Sequence, residues 1–113
     1  MRRREPRLFL EYIEDAISQI LDYTSGGEEA FRSSQLVQDA VVRQIEVIGE
    51  AVNNLPADLL ERESNTPWKR AVAMRNMLIH GYYDVDLNVV WDTVQQDIPA
   101  LRVAIARMLQ SLE

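Results

Sequence analysis

Apolar residues recur along this chain at intervals of three and four from Leu10 to Leu112. That spacing gathers them on one side of a helix, whereas in a strand it would scatter them over both faces. The four glycines and four prolines fall mostly between the periodic segments. This is the punctuation of helices joined by short turns, and it predicts an all-α fold, an antiparallel bundle of about five helices.

The first helix is predicted to begin near Pro6, with Leu10, Ile13, Ile17, Ile20 and Leu21 as its buried stripe, and to stop at Gly26-Gly27, because glycine accepts the left-handed conformation at a helix C-terminus. A short turn over Glu28 to Arg32 leads to Ser33 or Ser34, the cap of a long helix running to about Asn54. Its apolar band, Val37, Val41, Ile48, Val52 and Leu55 with Leu36, Ala40, Val47 and Ala51 beside it, is wide enough for contact with the bundle and with a second chain. Gly49 lies inside this helix, where glycine costs about 1 kcal/mol relative to alanine. Either the helix tolerates it or another backbone comes close there, and the second is favoured. Pro56 opens a short piece from Ala57 to about Arg62. Thr66-Pro67 reads as a cap and first-turn proline for a helix whose buried face is Ala71, Met74 and Leu78, with Met77, and Gly81 ends it. Asp86 caps the last helix, with Val85 and Val90 as a hydrophobic staple. Pro99 should kink or restart that helix, since it has no N–H to bond four residues back.

With 113 residues and no repeat or linker, the chain is expected to be one domain over its whole length. It has no cysteine, which excludes disulfides and thiolate chemistry and makes an intracellular home the default. No signal-peptide core follows the basic start, because Leu8 to Leu10 runs into Glu11, Glu14 and Asp15, and no apolar run approaches the roughly 18 residues of a membrane span. A cytoplasmic protein is expected. The net charge is −6 and the pI about 4.8, so any contact with nucleic acid must use a local basic patch.

One stretch concentrates side chains that handle phosphates and protons: Arg75-Asn76-Met77-Leu78-Ile79-His80-Gly81-Tyr82-Tyr83, which holds the only histidine. On a helix, Arg75 and His80 stand about 140° apart around the axis with a rise of about 7.5 Å. Asn76 and His80, four apart, share a face with Lys69 and Ala73. The group sits at a helix C-terminus, where the negative end of the macrodipole attracts cations. Arginine forks onto phosphate oxygens and histidine moves protons. Together they suit metal-free cleavage of an RNA phosphodiester, in which the ribose 2′-OH attacks phosphorus, Arg75 stabilises the developing charge and His80 transfers a proton. One histidine cannot be base and acid in the same instant, and a two-fold dimer would bring a second His80 across a shared cleft. Residue types alone also fit a structural role, which for a lone histidine beside an apolar face is the commoner one.

The block Pro67-Trp68, Met74 to Tyr82 and Val90-Trp91, together with Arg43-Gln44-Ile45-Glu46-Val47-Ile48-Gly49-Glu50-Ala51 and Leu55-Pro56, resembles the HepT family of HEPN-domain toxins over nearly the whole chain. The resemblance implies a dimeric helical bundle with two Arg-to-His motifs in one cleft, acting as a metal-independent ribonuclease with no cofactor. Arg75, Asn76 and His80 would be its catalytic residues and RNA, tRNA included, its substrate. It also implies a partner, a minimal nucleotidyltransferase antitoxin of the MntA type, that silences the toxin by attaching AMP to the motif tyrosine, here Tyr82. An added nucleotide there would bring negative charge and bulk into a phosphate cleft. Tyr83 could be packing only. The alternative is a non-catalytic, nucleotide-binding or regulatory dimer that partners such a nucleotidyltransferase, with Arg75 and His80 gripping phosphate without cutting.

Arg43, Lys69 and Arg70 could supply the basic patch for RNA, and each is equally plausible as a solvated charge. Arg2, Arg3 and Arg4 are a flexible RNA arm or, more simply, a frayed terminus. Glu46 and Glu50 share a helix face. With no second histidine they suit dimer or intrahelix contacts better than a metal, and no metal site is expected. Trp68 and Trp91 read as core or interface anchors rather than stacking platforms for bases.

Overall fold

The computed structural model describes residues 5–81 and 84–112. Among them the chain forms only helices: α1 (Pro6–Tyr23), α2 (Glu28–Arg32), α3 (Gln35–Asn53), α4 (Ala57–Glu61), α5 (Trp68–His80), α6 (Leu87–Asp92) and α7 (Ile98–Ser111), with a π-helical turn over Thr93–Asp97 joining the last two. The all-α antiparallel bundle is built on α3, which packs against α1 on one side and α5 on the other, while α7 lies on α1. The predicted stripe of α1 is buried, from Leu10 through Ile13 and Ile17 to Ile20. It meets Val41, Ile45, Ile48 and Val52 of α3 and Leu101, Ile105 and Met108 of α7 in one core. Each such side chain contributes about 1.5–3 kcal/mol by leaving water. No helix among the described residues is long and apolar enough to cross a membrane.

The helix ends show which local expectations held. Ser34 caps α3 by accepting from the Val37 N–H at 3.2 Å, and Asp86 caps α6 by accepting from the Asn88 N–H at 2.9 Å. Gly26-Gly27 does not close α1. That helix ends at Tyr23, where the N–H of Thr24 donates to the Ile20 carbonyl at 3.0 Å and its hydroxyl to the same carbonyl at 2.7 Å. Gly27, at φ 90°, instead supplies the left-handed residue that opens α2. The Thr66 side chain does not cap α5 either; Pro67 precedes its first residue, and the Trp68 N–H donates to the Thr66 carbonyl at 2.8 Å. The buried Gln38 is explained by the end of α2, since its Nε2 donates to the carbonyls of Phe31 and Arg32, each at 3.0 Å. Pro99 acts as expected of a proline inside a helical pattern. It sits in the first turn of α7, and the wider turn before it makes room where its ring would crowd the carbonyl four residues back.

Both tryptophans are packing residues. Trp68 is buried and its indole N–H donates to the carbonyls of Leu60, at 3.2 Å, and Glu63, at 3.1 Å, which ties α5 to the segment after α3. Trp91 stacks obliquely on the buried Phe31, ring centroids 5.1 Å apart. Met77, expected on the buried face of α5, is 46% exposed. The helix buries Trp68, Ala71, Met74 and Leu78, a stripe that leaves position 77 to one side.

Candidate functional site

Arg75 is rooted where α5 crosses α3. A Cβ placed on Gly49 would lie 2.3 Å from the Arg75 Cβ and 2.7 Å from the Ala71 carbonyl oxygen. Only glycine lets the two helices approach this closely. The close approach expected at Gly49 is therefore real, and it is made by α5 of the same chain. From that root the Arg75 side chain, 30% exposed, runs along α3. Its Nη2 pairs with Glu50 Oε2 at 2.8 Å and its Nη1 donates to Asn76 Oδ1 at 2.8 Å. Its Nε is buried and finds no acceptor among the described residues. Glu50 thus joins α3 to α5, a contact between helices where the sequence suggested one within its own helix or across a dimer. Among the described residues no group of three or more His, Asp or Glu side chains is placed to hold a metal ion.

The guanidinium borders a cleft of about 520 Å³ between α1, α3 and α5, whose walls include Phe9, Tyr12, Arg43, Glu46, Glu50 and Ile79. Arg43, Glu46 and Ile79 also line a neighbouring cleft of about 600 Å³ that reaches Val85 and Leu87. Arg43 has no ion-pair or hydrogen-bond partner among the described residues, so it stands on the rim between the two as an available cation.

The other predicted residues are spread along α5. Asn76 touches Arg75, yet it also lines, with Lys69 and Ala73, a shallower groove of about 430 Å³ against α4. Arg70 is committed elsewhere, its Nη2 2.9 Å from Asp97 Oδ1 on the π turn. Asp97 is nearly buried there. Burial pushes its carboxyl pKa above the ordinary 3.8, and the Arg70 charge offsets part of that rise. His80, in the last turn of α5, is exposed and lines none of these three clefts. After it, the Gly81 N–H donates to the Met77 carbonyl at 2.9 Å and closes the helix. Tyr82, the expected site of AMP attachment, Tyr83 and Arg2 to Arg4 lie outside the described residues.

Within one chain, then, Arg75 and Asn76 are in contact, Arg43 shares the Arg75 cleft, and His80 stands apart on the same helix. Sequence reasoning missed three participants: Glu50 as the counter-ion of Arg75, Asp97 as that of Arg70, and the aromatic pair Phe9 and Tyr12 on the cleft wall. The three-residue spacing of Phe9 and Tyr12, outside the core stripe of α1, was the available signal for the last.

Fold and placement define a class, a helical bundle with an Arg-x4-His motif on one helix and the arginine anchored against the glycine of its neighbour. The chain belongs to the HepT-like ribonuclease family, whose model, described as Ribonuclease HepT-like, matches residues 13–108. It is 40% identical over 101 residues to the "Probable ribonuclease HepT" of Thermococcus cleftensis, covering 88% of this chain and 92% of that one. It is 36% identical over 108 residues to a "Putative RNase" of Caldanaerobacter subterraneus subsp. tengcongensis, covering 95% and 96%. A protein of Methanocaldococcus jannaschii named "Gamma-glutamylcyclotransferase and putative RNase" is 39% identical over 112 residues, 98% of this chain but 50% of that one, so the chain spans about half of that relative's length. No solved structure matches.

Proposed function

We propose that the chain is a metal-independent endoribonuclease of the toxin type, acting as one domain in the cytoplasm as a homodimer whose two motifs share a cleft. Membership of a ribonuclease family supports RNA as the substrate, with tRNA the first class to test. The observation that carries the reading is the contrast within the motif: Arg75 is fixed by Gly49, Glu50 and Asn76, while His80 is exposed with no partner among the described residues. An arginine already oriented meets the charge that develops on phosphorus without reorganising. The 2′-OH attacks phosphorus, a 2′,3′-cyclic phosphate forms, and the P–O5′ bond breaks. One His80 takes the hydroxyl proton, the second copy's His80 gives a proton to the departing 5′ oxygen, and Asn76 keeps the guanidinium turned to the groove. Lys69 and Arg43 would steer the strand, while Arg70, paired with Asp97, contributes less.

A minimal nucleotidyltransferase antitoxin of the MntA type is the proposed partner, with AMP on Tyr82 as the off-switch. The test takes protein purified free of that partner, with intact mass confirming an unmodified Tyr82. Cleavage of cellular RNA that persists in EDTA, yields cyclic-phosphate ends and disappears in His80→Ala supports the reading. No cleavage of any cellular RNA by the unmodified wild type ends it. Co-expression with the partner should then add the mass of one AMP.

The second reading, a regulatory dimer that binds a nucleotide without cutting, draws on the net charge of −6. It requires nucleotide binding that survives His80→Ala and is lost in Arg75→Ala.

A further inference from the structure

The wall of the Arg75 cleft contributed by α1 has no part in the chemistry above. Phe9 and Tyr12 meet there edge to face, ring centroids 6.2 Å apart and planes at 76°, and Tyr12 is 42% exposed. A tyrosine ring left open in the cleft that the Arg75 guanidinium borders offers a surface on which a flat group can stack. In the same cleft Glu46 is half-buried and has neither ion pair nor hydrogen bond among the described residues. Its two oxygens are therefore open to donors from a ligand in the cleft.

We propose that this cleft is a base-recognition subsite that selects guanine in single-stranded RNA. The base stacks on Tyr12, the guanine N1–H and N2–H donate to the two oxygens of Glu46, and the attached phosphate lies toward Arg75. Guanine is the base that presents two adjacent donors. Adenine and cytosine present one amine beside an acceptor nitrogen, and uracil one N–H between two carbonyls, so each would set a lone pair against the carboxylate. A volume of about 520 Å³ is in the range of sites for small ligands. The strand must be single, because a base in a duplex is neither splayed nor free on that edge. The ribonuclease reading supplies RNA as the ligand; stacking and donor pairing supply the preference for guanine.

The test uses the full chain and 2′-deoxy trinucleotides, which cannot be cleaved by 2′-OH attack. Each has a central guanine, adenine, cytosine or thymine between two thymines, and binding is followed at low salt by NMR shift changes. The wild type should bind the guanine trinucleotide about tenfold more tightly than the other three. Glu46→Gln should remove that preference and keep the weaker common affinity. Tyr12→Ala should weaken all four about tenfold, in line with the loss of one stacked base, and Tyr12→Phe should bind like the wild type. Equal binding of all four by the wild type, or affinities unchanged in both Glu46→Gln and Tyr12→Ala, overturns the proposal. Cleavage of cellular RNA is measured in parallel. Guanine preference without cleavage would overturn the ribonuclease reading and leave the subsite standing, and cleavage without guanine preference would do the reverse.

Discussion

The two ends of α5 are held in different ways. From Trp68 to Arg75 it is moored at every turn: the Trp68 indole donates to two carbonyls, Arg70 reaches Asp97 on the π turn, Ala71 and Arg75 press against Gly49, and Arg75 pairs with Glu50. Its last turn keeps Leu78 buried, leaves Met77, Ile79 and His80 exposed, and ends on Gly81. The arginine of the motif is thus part of the scaffold, whereas the histidine stands beyond it. A motif divided in this way has one cation fixed within the chain and the other without a partner among the described residues.

The strongest test of this division compares the two motif alanines. In the proposed ribonuclease, Arg75→Ala and His80→Ala should each lower kcat by about 10²-fold or more. Their melting behaviour should separate. His80→Ala should leave Tm unchanged, since an exposed side chain without a partner contributes within about 0.5 kcal/mol. Arg75→Ala should lower it, because Glu50 loses its counter-ion and the contact over Gly49 loses the arginine stem. Equal falls in Tm would mean that His80 is anchored in solution and that the contrast is not real.

Next in size is Gly49→Ala. Overpacking a helix crossing costs about 1–3 kcal/mol, and alanine's helix preference returns about 1 kcal/mol. The clash decides the sign, since neither neighbour can swing away. One is the Arg75 Cβ and the other a backbone carbonyl. Thermal melts should show a fall in Tm of several degrees, and α5 must shift, taking Arg75 with it. A variant as stable as the wild type would mean that the helices are not pressed together at this point.

Gly49 also marks how far the sequence could be read. That a backbone comes close there follows from a glycine in a helix interior. Which backbone it is depends on how α3 and α5 cross, and helical periodicity does not encode that. The apolar stripes of α1 and α3, the caps Ser34 and Asp86 and the effect of Pro99 were legible because each depends on neighbours within a few residues. Gly27 shows the limit of local reading: Gly26-Gly27 was expected to close α1, but Gly27 opens α2 at φ 90°, because Thr24 had already capped that helix. The pairs Glu50–Arg75 and Arg70–Asp97 span 25 and 27 positions, and no spacing rule within a helix finds them.

Glu50→Gln is a smaller perturbation. The Glu50 side chain is 56% exposed, so water screens the pair and its removal should cost less than about 1 kcal/mol, and less again at high salt. Denaturant titration at two salt concentrations measures this. A loss of several kcal/mol would mean that the pair is sealed from water in solution, as a second copy laid over the cleft would do.

The smallest effect belongs to Asp97 and probes the moored end by pH. Burial raises its pKa in the folded state, with Arg70 acting in the opposite direction. The folded chain therefore holds this proton to higher pH than the unfolded chain does. The stability that protonation contributes is fully present below the ordinary value of 3.8 and is lost as pH rises through the folded value. Asp97→Asn is neutral throughout and escapes that loss. Its Tm relative to the wild type should therefore climb as pH rises from below 4 toward neutrality and then level off. Arg70, its side chain 68% exposed, remains solvated when its partner goes and should add little to the difference. A Tm difference that falls over the same window would mean that the ion pair outweighs the burial of the carboxylate. The first half of α5 would then be held at this point by charge.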